Sequence, residues 1–254
     1  MSRGGRPGRF GVASILRRAL RRGQAEPPVT PGALEPEALR RLLDKPDPVI
    51  LDIGCNDGTH TLMFLGLFPQ ARVYAFEPDA RARRRFEAAV RDARARLFAT
   101  AVGAIDGVAD FYPSDGAPSA EWAARLPEGW DLSGSIRKPK QHLDIHPWCR
   151  FGETTRVAVT RLDTWARAQG VGEVDFIWAD VQGAEEDLIE GGRETLGRTR
   201  YFYTEYSDRE LYAGQANLAR LLAMLPGFEL VHRYRGEVHQ YQGDVLMRNT
   251  RYDR

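Results

Sequence analysis

The stretch Val49–Thr61, VILDIGCNDGTHT, runs from an apolar segment into a loop with two glycines and then into a helix. Asp52 interrupts the apolar run, and Gly54 and Gly58 free the backbone to turn tightly. A loop of this kind brings backbone N–H groups close to a bound ligand and sets a carboxylate beside it. A second acid, Glu77, follows the apolar run Val73–Phe76, ~20 residues past the first glycine, where a carboxylate can accept hydrogen bonds from both hydroxyls of a ribose. Two more acids close later apolar runs: Asp180 after VDFIWA and Glu205 after RYFYT. Gathered in one cleft, such acids could position a hydroxyl, accept its proton, or hold a divalent cation.

The loop itself narrows the ligand. A dinucleotide site wants G-x-G-x-x-G, with pyrophosphate on the helix N-terminus. Here Asn56 replaces the middle glycine, and Asp57 adds negative charge where phosphate would sit. Both changes disfavour NAD or FAD and suit a cation, such as the sulfonium and amino group of S-adenosylmethionine. Asp79 is read as an ordinary N-cap of the next helix, and Glu185 either as a favourable charge near a helix N-terminus or as part of the site.

These residues need a scaffold that brings strand ends together. Helices are expected over 35–43, 59–66, 79–95, from 184, and over 215–225. Strands are expected over 72–76, 97–102, 174–179 and 201–205. Such β–α alternation implies a mostly parallel sheet with helices on both faces. The runs Phe228–Tyr234 and Asp244–Arg248 read as a closing antiparallel hairpin. The segment from about 111 to 155 breaks the rhythm with glycine, proline, serine and tryptophan. A loop this long in a compact domain is usually functional. Its Trp130, Lys138, Lys140, His142, His146 and Trp148 make it a candidate substrate cover.

The 254 residues suffice for one α/β domain with an insertion, and 43% of them are apolar, enough for a full core. No apolar run reaches the ~18 residues of a membrane-spanning helix. Cys55 and Cys149 fit no metal or disulfide spacing, and a cytoplasmic setting is expected. The net charge of +1 conceals an asymmetry: residues 1–22 hold seven arginines and no acid, leaving 29 basic against 35 acidic residues in the remainder. So acidic a body argues against a nucleic-acid partner. The basic start is expected as a tail, with 23–34 as linker. Its stretch 10–22 could rest on an anionic membrane or act as a transit peptide.

DIGCNDGTHT, the acid in FEPDA, LDTW at Leu162–Trp165, VDFIWADVQGAE and DVLMRN at Asp244–Asn249 together resemble the FkbM-type methyltransferases, over about residues 48–249. The family's I-D-V-E-G-x-E motif is matched at Asp180, Gly183 and Glu185, but Gln182 stands where Glu is usual. The resemblance implies a Rossmann-like class I methyltransferase fold of seven strands and S-adenosylmethionine-dependent O-methylation of a sugar, glycan or polyketide-type product. It implies that Asp52, Gly54, Asn56, Gly58 and Glu77 hold the cofactor; Ala101 and Asp180 are expected to join them. For the general base the candidates are Asp180, Glu205, His142 and His146. Lys138, Trp148, Tyr206 and Tyr212 are expected at the acceptor, Tyr206 being equally readable as core. Metal is not favoured, Asp180 and Glu205 being its only candidates. N-methylation of an amino sugar or peptide, and a non-catalytic binding protein, remain the alternatives. Acceptor identity and oligomeric state are not set by these residues.

Overall fold

The structure is a computed structural model and describes residues 27–236 and 241–252. The arginine-rich stretch 10–22 lies outside the described residues. The chain opens with β1 (Val29–Pro31), α1 (Pro36–Leu43), β2 (Val49–Ile53), α2 (Thr59–Leu67), β3 (Arg72–Phe76), α3 (Ala80–Ala89) and β4 (Ala95–Phe98). Next come β5 (Ala101–Val102), β6 (Gly107–Phe111), β7 (Ser114–Gly116), α4 (Ala120–Arg125), α5 (His142–Ile145), β8 (Cys149–Phe151) and β9 (Thr155–Thr160). The last part holds α6 (Leu162–Ala168), β10 (Val174–Ala179), α7 (Glu185–Gly191), α8 (Arg193–Gly197), β11 (Thr199–Ser207), α9 (Leu218–Met224), β12 (Phe228–Arg235) and β13 (Gln242–Asn249).

One sheet of eight strands runs β1-β12-β13-β11-β10-β2-β3-β4. Every neighbour pair is parallel except the two made by β13, which therefore runs against all the others. The seven strands expected from the resemblance are present. The eighth is β1, which adds to the edge strand β12 within a stretch read as linker. Strand order reverses at β2, which pairs β3 on one side and β10 on the other. Ligands of open α/β sheets bind at such a switch point, beyond the carboxyl ends of the strands.

β2 is apolar throughout but for Asp52, and wholly buried, because both faces of the sheet are covered. Its side chains alternate between two cores. Leu51 and Ile53 join Trp165, Leu188, Phe202 and Leu221 on one face, while Ile50 joins Leu39, Phe64 and Phe176 on the other. Asp52 shares the face of Ile50, so it points at α2 rather than outward.

The irregular segment has structure of its own. β6 and β9 pair antiparallel, with Phe111 opposite Thr155, and β5 completes a three-stranded sheet beside them. β7 and β8 form a separate ribbon. No described helix is long and apolar enough to cross a membrane.

Candidate active site

The loop after β2 is held from both sides. Gly54 and Cys55 donate backbone hydrogen bonds to the Phe76 carbonyl at 2.9 and 3.1 Å, and Asp180 N–H donates to the Ile53 carbonyl at 2.8 Å. Gly54 has φ +82°, and a Cβ there would lie 1.9 Å from the Asp180 carbonyl oxygen. The loops after β2 and β10 can meet only because position 54 carries no side chain. Gly54→Ala is therefore expected to destabilise the protein by at least about 2 kcal/mol, the left-handed backbone alone costing about 1–2 kcal/mol. Urea denaturation measures this; an unchanged midpoint would contradict the close approach.

A cavity opens at this point. Its wall includes Gly54, Asn56, Glu77, Ala101, Asp180 and Gln182, with Phe76, Pro78, Val102, Leu132 and Ile136 supplying apolar surface. Glu77 is buried, and its carboxylate accepts from Asn56 N–H at 3.0 Å and Asp79 N–H at 2.7 Å. Burial pushes its carboxyl up to about 8 against the pull of those two N–H groups. Asp79 caps α3, accepting from Arg81 N–H at 2.8 Å, as the sequence suggests. Asp57 accepts from the Thr59 N–H and hydroxyl at the start of α2.

Asp52 stands behind the loop and is not among the residues lining the cavity. It accepts from the Thr61 hydroxyl at 2.5 Å, and its other oxygen has no protein partner. Burial raises its carboxyl to about 7, the Thr61 hydroxyl opposing and the Asp180 charge adding. The folded state thus holds this proton more tightly than the unfolded chain does. Its contribution is complete at acid pH and lost as pH rises through about 7. Asp52→Asn removes that loss and should make the protein more stable than wild type at pH 8, by up to about 4 kcal/mol, and by much less at pH 5. Thermal denaturation at both pH values checks the sign; parallel curves would remove the buried charge from consideration.

Asp180 opens onto the cavity, yet enough protein surrounds it to raise its carboxyl above the usual range, desolvation being the cause. Gln182 donates to it through Nε2 at 2.6 Å and lies 3.4 Å from Glu205. Glu205 also accepts from the Gln242 amide. Desolvation first, then the charges of Asp180 and Asp244, hold the Glu205 carboxyl well above its ordinary value. Glu185 is buried at the start of α7, accepts from Gly183 N–H at 3.1 Å, and does not line the cavity. Among the described residues no set of three His, Cys, Asp or Glu forms a metal-ligand group.

The insertion reaches into this site through Phe111, Asp131, Leu132, Gly134, Ser135 and Ile136. Asp131 pairs with Arg85 at 2.6 Å, its side chain fully shielded, and Asn56 lies 3.4 Å from it. Arg85 also donates to Asn56 at 3.1 Å. A triad thus ties the cofactor loop, α3 and the insertion together. Sequence reading found only Asn56 of the three.

Several expected site residues lie elsewhere. His142 is buried against Phe151 and Tyr212, with ring centroids 5.3 and 5.5 Å away, and burial lowers its imidazole to about 4. His146 packs between His142 and Trp148. Trp148 stacks edge-on with Trp130, and Lys138 is exposed; none of these four lines the cavity. Tyr206 is core, its hydroxyl accepting from Arg233 at 2.7 Å. Tyr212 is buried rather than offered to a sugar face, and its hydroxyl joins the Gln182 network. Gly58 serves the loop's geometry, with φ +86° and the Phe86 ring where a Cβ would stand.

Comparison with known proteins adds the following. The family model described as the methyltransferase FkbM domain matches residues 52–237. The 2-O-methyltransferase NoeI of Sinorhizobium fredii is 50% identical over 211 residues, 83% of this chain and 83% of that protein. The AMB antimetabolite synthetase AmbE of Pseudomonas aeruginosa is 28% identical over 204 residues, covering 73% of this chain but only 10% of that protein's length. The crystal structure of a methyltransferase FkbM from Methylobacillus flagellatus aligns with TM-score 0.47 and 13% identity, over 84% of this chain and 50% of that one.

Proposed function

The chain belongs to the FkbM methyltransferase family and is an S-adenosylmethionine-dependent methyltransferase, and from that premise we propose that it methylates a hydroxyl of a sugar or glycan, with Asp180 as general base. The observation that carries this reading is one cavity whose wall runs from Gly54 and Glu77 to Asp180 and Gln182. The residues fit the cofactor. Gly54 forms part of the cavity wall where the loops after β2 and β10 meet, Glu77 offers acceptors for the ribose diol, and apolar side chains line the rest. S-adenosylmethionine supplies an electrophilic methyl on a cationic sulfur. The 2-O-methyltransferase name of the relative NoeI supports oxygen as the acceptor atom.

The chain's own work is alignment, dryness and proton removal. Phe111, Leu132 and Ile136 of the insertion shield one side of the cavity and help exclude water. Asp180 is open to an acceptor hydroxyl, and its raised carboxyl brings it nearer the operating pH, which favours a general base. Glu205 is set back from the cavity wall and reaches Asp180 through the Gln182 amide.

The test is an assay of the purified protein with S-adenosylmethionine against a panel of neutral sugars, oligosaccharides, amino sugars and peptides, with methylated products located by mass spectrometry. O-methylated carbohydrate is expected. Methyl on nitrogen alone would replace this reading with N-methylation. No calorimetric binding of millimolar S-adenosylmethionine would leave a protein that kept the fold and lost the chemistry.

A further inference from the structure

We propose that Gln182 and Tyr212 are positioning residues that orient the Asp180 carboxylate: Tyr212 fixes the Gln182 amide, and the amide fixes Asp180. This rests on the reading of Asp180 as general base.

Gln182 sits in an unusual backbone. Its φ is +49°, a left-handed conformation that non-glycine residues seldom adopt, and Gly183 follows at φ +90°. Such strain persists only when surrounding contacts hold it. Those contacts are present. The Ser135 hydroxyl donates to the Gln182 carbonyl at 2.7 Å. The Tyr212 hydroxyl lies 3.0 Å from Gln182 Oε1 and 2.9 Å from the Ser133 carbonyl. A Cβ at position 183 would stand 2.8 Å from the Tyr212 ring, so this glycine is what lets the ring pack across the turn.

The amide has one sensible orientation. Its far side meets two carboxylates, Asp180 Oδ1 at 2.6 Å and Glu205 Oε2 at 3.4 Å. Asp180 acting as base is ionised and only accepts, so in that state the nitrogen faces it. Oε1 is left to accept from Tyr212. The phenol proton, shared between Oε1 and the Ser133 carbonyl, supports at one end the orientation that the carboxylates select at the other.

The surroundings make this donor matter. The charge of Asp180 is felt by Asp52 on β2, Glu205 on β11, Asp244 on β13, Glu185 on α7 and the Tyr212 phenol. Arg137 of the insertion is engaged with Asp187 at 2.7 and 2.8 Å. Among so many acids, the Gln182 N–H is the group that favours the ionised form of Asp180. A Glu at position 182 would put another negative charge there instead.

The experiment compares pH profiles of kcat at saturating S-adenosylmethionine for wild type, Gln182→Met, Tyr212→Phe and the double variant. Gln182→Met should move the acid limb up by about one pH unit, and so lower kcat roughly tenfold at pH values below the limb and little above it, as loss of a hydrogen bond to a charged group does. Tyr212→Phe should move the limb the same way by less. The double variant should lie where Gln182→Met alone lies, because the phenol acts through the amide. Gln182→Gly, which takes the left-handed φ without strain, replaces Gln182→Met should the latter misfold. An unmoved limb in Gln182→Met or Tyr212→Phe overturns the proposal, as does a double variant shifted by the sum of the two. Asp180→Asn separates the layers. Full activity there sinks the base reading itself, whereas loss of activity there with unmoved limbs elsewhere sinks only the relay.

Discussion

Asp180→Asn lowers kcat by about 10²–10⁴-fold, the usual worth of a general base, while S-adenosylmethionine still binds. Asparagine keeps the shape of the side chain and an oxygen for the Gln182 amide, so the 2.6 Å contact survives. What it loses is the ability to take a proton. Glu205→Gln should cost much less, because Glu205 does not line the cavity. The contrast between these two variants, with cofactor affinity measured by calorimetry for each, assigns the base. Equal losses in both would mean that the two carboxylates act as one unit. Full turnover in Asp180→Asn would remove Asp180 from the chemistry.

The pH profile carries a second signature of the same group. Desolvation holds the Asp180 carboxyl above the ordinary carboxylate range. Since the ionised form is the active one, kcat rises with pH through that raised value rather than being level from pH 5. In Asp180→Asn this limb disappears from whatever activity remains.

The parts of this site legible from sequence are those that local pattern dictates. Asp52, Glu77 and Asp180 each punctuate or end a run whose both faces are buried, so a polar residue there stands out. Gly54 and Gly58 mark the turn because their φ values, +82° and +86°, admit little else. The parts not legible depend on partners distant in the chain. Asp131 meets Asn56 across 75 residues and Arg85 across 46, and nothing local to Trp130–Leu132 announces either contact. β1 is three exposed residues ending in proline, too short to show a period, within a stretch whose proline and glycine read as linker. Tyr206 is different, because a signal was available. Counting by twos from Phe202 along β11 puts it on the core face, where both residues are found. His142 and His146 drew attention as side chains able to carry protons, but residue type gives no direction, and they point into aromatic packing instead.

Glu77→Ala should weaken S-adenosylmethionine binding by about 10²-fold or more, since a hydrogen bond to a charged acceptor is worth about 1.5–3 kcal/mol and the ribose diol offers two. Part of the loss is indirect, because the same carboxylate holds the Asn56 and Asp79 N–H groups and so shapes the loop. Proton linkage separates the two contributions. The carboxyl of Glu77 titrates near 8 without ligand, so much of it is protonated at pH 7. Two donating hydroxyls favour the ionised form, so binding releases a proton and affinity rises with pH up to about 8. Calorimetry in buffers of different ionisation enthalpy would read that release directly. Glu77→Gln keeps the size and one acceptor but has no proton to lose, so its affinity should be lower and flat with pH at this group. A variant that binds weakly yet still releases the proton would place the linked group elsewhere, with Asp180 next in line. Unchanged affinity in Glu77→Ala would take this carboxylate out of the cofactor site altogether.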